Sequence, residues 1–190
     1  KTYDILKNKC TLNSNIKVLN LSRNFGHQMA FTAGLDIASG DAVIVIDGDL
    51  QDPPQVMIEF IKKWENGFHV IYGKRSRRKG ETFFKKLSAR LFYQLLDILS
   101  ETNIPKNTGD FRLMDRRVVE ELKTMREKHR FIRGMVSWIG FKQTSVLYER
   151  DQRPAGDTKY PFKKMMSFAL DGIFSFSTVP IKISLFVGFL

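Results

Sequence analysis

Ala42-Val43-Ile44-Val45-Ile46-Asp47-Gly48-Asp49-Leu50-Gln51-Asp52-Pro53-Pro54 is the stretch that decides the architecture of this chain. Its apolar run is rich in β-branched residues and bounded by Gly40 and the two prolines, which predicts a strand buried on both faces of an α/β sheet. Such a strand carries Asp47 and Asp49 to its exposed end. Two carboxylates there offer hard oxygen ligands to Mg²⁺ or Mn²⁺, and the ion would offset the charge of a nucleotide diphosphate. Taken alone the triplet also has a plainer reading, because short acidic pairs commonly solvate a turn or cap the next helix.

Working outward, the chain alternates between strand and helix. Ile16 to Leu21 is predicted as a strand and Gln28 to Ala38 as a helix closed by Gly40. A helix runs from Pro54 to Trp64 and ends at Asn66-Gly67, and Phe68 to Tyr72 is the next strand. Short connections between such elements predict a parallel sheet covered on both faces, with ligands at the carboxyl ends of its strands.

Past Gly73 the character changes to a basic loop, Lys74-Arg75-Ser76-Arg77-Arg78-Lys79-Gly80. An amphipathic segment follows, in which Phe84, Leu87, Leu91 and Leu95 share one helical face and Lys85, Lys86 and Arg90 lie elsewhere. The pattern suits both a membrane interface and an ordinary helix packed on the sheet. Asn107 to Met114 reads as a turn and short strand, followed by a helix over Arg116 to Met125. Asp110, beside Gly109, is either a carboxylate in a site mouth or a turn-forming residue. Gln143 to Tyr148 alternates as a strand and runs into a loop carrying Arg150, Arg153 and Lys159 around Gly156, which reads as an anion-binding or a solvated basic loop. Lys163 to Phe176 is predicted as a second amphipathic helix. His27, His69 and His129 lack metal-ligand spacing.

The 190 residues carry 43% hydrophobic and 27% charged side chains of mixed sign, enough for one core and unlike a disordered chain. A net charge of +11 calls for an anionic partner: nucleic acid, acidic lipid headgroups or phosphorylated substrates. No recognisable nucleic-acid motif is present. Cys10 is the single cysteine, which excludes an intrachain disulfide and fits a reducing, cytosol-facing location. Lys1 to Lys7 reads as the middle of a polar helix, and the sequence turns apolar from Val179 to Leu190. Both ends are therefore expected to be cut from a longer protein.

Five ordered motifs carry a family resemblance: Leu21-Ser22-Arg23-Asn24-Phe25-Gly26, Thr32-Ala33-Gly34-Leu35, Asp47 to Pro54, Gly109-Asp110-Phe111-Arg112-Leu113-Met114, and Ala155-Gly156-Asp157-Thr158-Lys159-Tyr160-Pro161. Together they resemble the family 2 glycosyltransferases acting on polyprenyl phosphates, of the bactoprenol-phosphate glucosyltransferase and dolichol-phosphate mannose synthase type. The resemblance implies a GT-A, Rossmann-like fold: a mostly parallel sheet with helices on both faces, plus amphipathic membrane-interface helices. It implies a partial catalytic domain over 1–160, an interface helix over 161–178 and the start of a truncated transmembrane segment over 179–190.

It further implies an inverting enzyme moving a hexose, glucose by this likeness, from a nucleotide sugar such as UDP-glucose to a polyprenyl phosphate. The setting is the cytoplasmic face of a bacterial inner membrane with an anionic surface, and assembly into homo-oligomers stays open. By the same likeness Asp47 and Asp49 hold Mg²⁺ or Mn²⁺ and, with Gln51, Lys74 and Arg75, the donor diphosphate. Asp110 matches the catalytic carboxylate, and Arg112, Arg150, Arg153 and Lys159 match acceptor and phosphate contacts. The family's Pro-X-Tyr-Asn-Glu and Asp-Asp-Gly-Ser signatures do not occur here, which leaves a second reading: a non-catalytic anion- or nucleotide-binding remnant.

Overall fold

A computed structural model of the chain describes residues 1–76, 105, 108–127, 130–151 and 179–189. The predicted amphipathic helices over 83–96 and 163–176, the interface segment 161–178, His129, Arg153 and Lys159 lie outside them. The chain divides into two compact units, Lys1–Ala38 and Ser39–Leu190.

The first unit holds two helices, α1 (Thr2–Leu12) and α2 (His27–Ile37). The helix predicted from Gln28 is present. Its entry is set by Gly26 at φ +89°, a backbone angle that favours glycine, with the amide of Gly26 donating to Asn24 Oδ1 at 2.9 Å. The predicted strand over Ile16 to Leu21 is corrected, since this stretch has no strand pairing and Ile16 and Leu19 are exposed. Alternation alone could not make it a strand: a ladder needs a neighbour, and the regular elements of this unit are helices.

The second unit contains a sheet of four described strands: β1 (Ala42–Val45), β2 (Val70–Arg75), β3 (Thr108–Asp115) and β4 (Gln143–Tyr148), in the order β1-β3-β2-β4. β3 is antiparallel to both β1 and β2, whereas β2 and β4 are parallel. Three strands therefore run one way and β3 alone runs back, which makes the α/β sheet mixed. At its outer position β1 is only half-buried along its length, a correction to the strand expected to be buried on both faces.

Side-chain alternation along β3 sorts the layers. Phe111 and Leu113 face α3 (Val56–Glu65) and form a core with Phe60, Ile71 and Tyr148, in which the rings of Phe60 and Phe111 lie 4.7 Å apart. Asp110, Arg112 and Met114 point to the opposite face. There α4 (Arg116–Thr124) buries Val118, Val119 and Leu122, and α5 (Ile132–Trp138) buries Ile132, Met135 and Val136. The sequence reading missed α5, whose seven residues are too few to show a helical period.

Asp115 fastens β3 to both layers. Its carboxylate accepts from the Arg117 amide at the start of α4, from the Arg117 side chain and from Trp64 Nε1 on α3 at 2.8 Å. Burial alone would raise its pKa, but these hydrogen bonds outweigh burial and hold it at about 2.

The last described element, α6 (Val179–Gly188), spans ten residues with Leu185, Phe186 and Val187 exposed. Among the described residues no helix is long and apolar enough to cross a membrane.

Candidate active site

Strand direction gathers the site. The carboxyl ends of β1, β2 and β4 and the beginning of β3 all lie at one edge of the sheet. β1 ends with Val45 opposite Arg112, and carrying that register on by two residues puts Asp47 across from Asp110.

After Asp47 the chain turns at Gly48-Asp49 and reverses at Leu50, whose φ of +58° is a left-handed angle that costs a non-glycine residue about 1–2 kcal/mol. Asp49 Oδ1 accepts from the Gln51 amide at 3.2 Å and braces the reversal. Its effect is to turn Asp52 inward, where it is 1% exposed, while Leu50 stays outside. Pro53 and Pro54 then lie in the turn before α3, so the helix predicted to begin at Pro54 begins at Val56.

The loop after β4 closes on this acidic loop. Arg150 NH2 lies 4.0 Å from Asp47 Oδ2 and 3.8 Å from Asp49 Oδ2, and its Nε lies 3.4 Å from Asp52 Oδ1. Tyr148 donates its hydroxyl to the same Asp52 oxygen. Burial first, and then the Asp52 hydrogen bond, push the Tyr148 pKa up to about 12, so the phenol keeps its proton. Gly73 makes room for this ring, because a Cβ there would stand 2.7 Å from Tyr148 Cε1. Gln51, predicted as a donor-binding residue, gives its side-chain amide to the Asp151 carbonyl at 3.2 Å.

Asp110 occupies a second cluster. It lies in β3, 6% exposed, and not in the turn that Gly109 suggested. Arg133 of α5 donates to both of its oxygens, at 3.0 and 3.4 Å, and Arg112 NH2 sits 3.8 Å from Oδ1. Burial lowers the Arg112 pKa to about 10, with Asp110 opposing that shift and Arg133 adding to it. Arg112 also donates to the Gly109 carbonyl at 3.0 Å.

Arg75 comes to the same edge, its guanidinium lying over Gly109, where a Cβ would meet NH2 at 2.7 Å, and its Nε 3.5 Å from the Tyr148 hydroxyl. Lys74 is exposed. The structure thus unites Asp47, Asp49 and Arg150, groups Asp110 with Arg112, and brings Arg75 beside Gly109 and Tyr148. Arg133, Asp52 and Tyr148 were assigned no role from sequence. The signals were an arginine inside the apolar run Phe131 to Val136, and a tyrosine in phase with the buried face of β4.

Among the described residues no group of three or more His, Cys, Asp or Glu side chains is placed to hold a metal ion. Asp47 and Asp49 nevertheless fit a divalent ion of the magnesium type, which binds one or two carboxylates and takes its other oxygens from water and substrate phosphates. Their Oδ2 atoms already face one cationic nitrogen.

A mixed α/β sheet with an acidic loop at the carboxyl end of β1 and basic groups closing over it defines the class, and sequence comparison gives the family. The profile of glycosyl transferase family 2 matches residues 1–123, and the chain belongs to that family. It is 52% identical over 190 residues to the uncharacterized glycosyltransferase YkcC of Bacillus subtilis (strain 168), covering 100% of this chain and 59% of that protein. It is 46% identical over 170 residues to the prophage bactoprenol glucosyl transferase homolog of Escherichia coli (strain K12), covering 90% and 56%. It is 45% identical over 170 residues to the bactoprenol glucosyl transferase of Shigella phage SfV, covering 90% and 55%. The chain therefore spans less than two thirds of the length of these relatives.

Proposed function

We propose that the chain forms the catalytic part of an inverting hexosyltransferase that moves glucose from UDP-glucose to a polyprenyl phosphate at the cytoplasmic face of a bacterial membrane. The observation that carries this reading is the convergence of Asp47, Asp49 and Arg150 at the sheet edge where β3, which carries Asp110, begins. The acceptor is inferred from the bactoprenol glucosyl transferases among the relatives.

Transfer needs charge compensation where the nucleoside diphosphate departs. Asp47 and Asp49 would hold Mg²⁺ or Mn²⁺, which when bound neutralises diphosphate charge. Arg150 and Arg75 supply guanidinium donors matched to phosphate oxygens, with Lys74 as a further point charge. Arg112, and Arg153 and Lys159 outside the described residues, serve the acceptor phosphate in this reading.

A phosphate monoester is already largely anionic near neutral pH, so its oxygen can attack the anomeric carbon without surrendering a proton. Asp110, held by Arg133 and close to Arg112, then orients these guanidinium groups and polarises the site. Exposed apolar residues on α6 and the basic stretch from Lys74 to Arg90 suit a membrane surface, each basic residue near anionic lipid adding on the order of 1 kcal/mol. The test is transfer of radiolabelled hexose from several nucleotide sugars to polyprenyl phosphate by the intact protein. Transfer from UDP-glucose that disappears in Asp49→Ala supports the reading, and full turnover by that variant in metal-containing buffer refutes the metal assignment.

A further inference from the structure

The loops after β1 and β4 leave strands at opposite ends of the sheet order, yet they are tied together at several points. The Asp151 amide donates to the Gln51 carbonyl at 3.0 Å, and the Gln51 side chain returns a bond to the Asp151 carbonyl. Beneath these, Tyr148 and Arg150 both reach Asp52. Asp52 is 1% exposed, and its second oxygen, Oδ2, has no hydrogen-bond partner. A buried carboxylate in that condition is costly unless a positive charge lies against it. Arg150 is that charge, and the same guanidinium faces Asp47 and Asp49.

We propose that Asp52 and Tyr148 are positioning residues that mount Arg150 as a built-in counter-cation on the Asp47–Asp49 pair, so that Arg150 and a divalent ion compete for the same two carboxylates. This deepens the reading above, on which it rests, that the pair is the cation and diphosphate site.

Three features of the geometry carry the inference. The contacts to Asp47 and Asp49, at 4.0 and 3.8 Å, are at the outer limit of ion pairing and longer than charge-assisted hydrogen bonds, so they are readily exchanged. The contact to Asp52 is shorter, at 3.4 Å, an ion pair without a hydrogen bond that comes from the buried Nε near the base of the guanidinium. Movement of the distal nitrogens from carboxylates to an arriving phosphate therefore leaves the mount in place. Finally, Tyr148 is wedged against Gly73 in a sheet strand and retains its proton, so Asp52 is held from below by a rigid donor.

The consequence is a reversal of sign. Without nucleotide, Arg150 opposes a divalent ion; with a diphosphate present, it assists by binding phosphate oxygens. Mn²⁺ binding to the intact protein, followed by electron paramagnetic resonance with and without UDP, tests this. Arg150→Gln is expected to bind Mn²⁺ alone on the order of tenfold more tightly than the parent, and the UDP–Mn²⁺ pair on the order of tenfold more weakly. Asp52→Asn should give the same split, tighter for Mn²⁺ alone and weaker for the UDP–Mn²⁺ pair, with a smaller change in each. Should Asp52→Asn fail to fold, Tyr148→Phe, which keeps the carboxylate, is expected to show about a threefold version of the same split.

Arg150→Gln that leaves Mn²⁺ binding unchanged or weaker, or that shifts both affinities in one direction, overturns the proposal. Asp49→Ala that binds Mn²⁺ as tightly as the parent sinks the cation site itself, whatever Arg150→Gln does.

Discussion

Two clusters of charge share one edge of the sheet, and they differ in how they are held. Asp47, Asp49 and Arg150 ride on loops, are a quarter to a third exposed, and meet at 3.8–4.0 Å. Asp110, Arg112 and the Arg133 tip lie on a central strand and a helix, with the carboxylate of Asp110 doubly bonded to one guanidinium. The loop cluster can change partners as ligands come and go, since solvent and phosphate can replace each contact. The strand cluster does so less readily, because a partner removed without replacement leaves a buried charge behind. The difference separates a site where chemistry is gripped from a frame that keeps the grip aligned.

Variants that strike one cluster at a time sharpen this contrast. Asp49→Ala should lower the transfer rate on the order of 1,000-fold, about 4 kcal/mol, with the melting temperature almost unchanged. Rate and melting measured on one preparation check it, and a large loss of stability would make the loop cluster structural after all. Arg133→Ala should do the reverse, destabilising the fold by about 3 kcal/mol in urea unfolding because the buried carboxylate of Asp110 loses the guanidinium that donates to both its oxygens.

Asp110→Asn is expected to retain some activity, with a rate loss of about tenfold, since removal of an obligatory general base costs roughly 100-fold or more. A larger loss with an acid limb that vanishes from the pH–rate profile would assign proton abstraction to Asp110. The smallest effect belongs to Asp115, away from both clusters. Its folded pKa lies below the ordinary carboxylate value, so its contribution is complete above about pH 4 and fades as pH falls toward 2. Asp115→Asn should lose about 1 kcal/mol at neutral pH and show a flatter acid limb in unfolding titrations.

Local pattern carried much of the fold into the sequence. The β-branched run from Ala42, the helix before Asn66-Gly67, the Gln143–Tyr148 strand and the helix after Arg116 were legible because each has its own periodicity and punctuation. The Ile16–Leu21 stretch misled, since a strand exists only by virtue of its neighbour. The reversal of β3 was equally hidden, because strand direction follows from pairing across the sheet. At the site, Asp47 and Asp49 stood out as a motif at a strand end. Arg133 and Tyr148 did not, because their importance lies in spatial contacts with Asp110 and Asp52, residues distant in the chain.

The reversed course of β3 also separates precision from variability. Because Asp110 sits two residues from the Arg112 rung, where β3 pairs with Val45 on one side and Tyr72 on the other, that rung sets its height, whatever length of polypeptide leads up to Thr108. The sequence before Thr108 can thus vary in length while the carboxylate stays where it is. What precedes the strand and what the strand aligns are free to diverge independently.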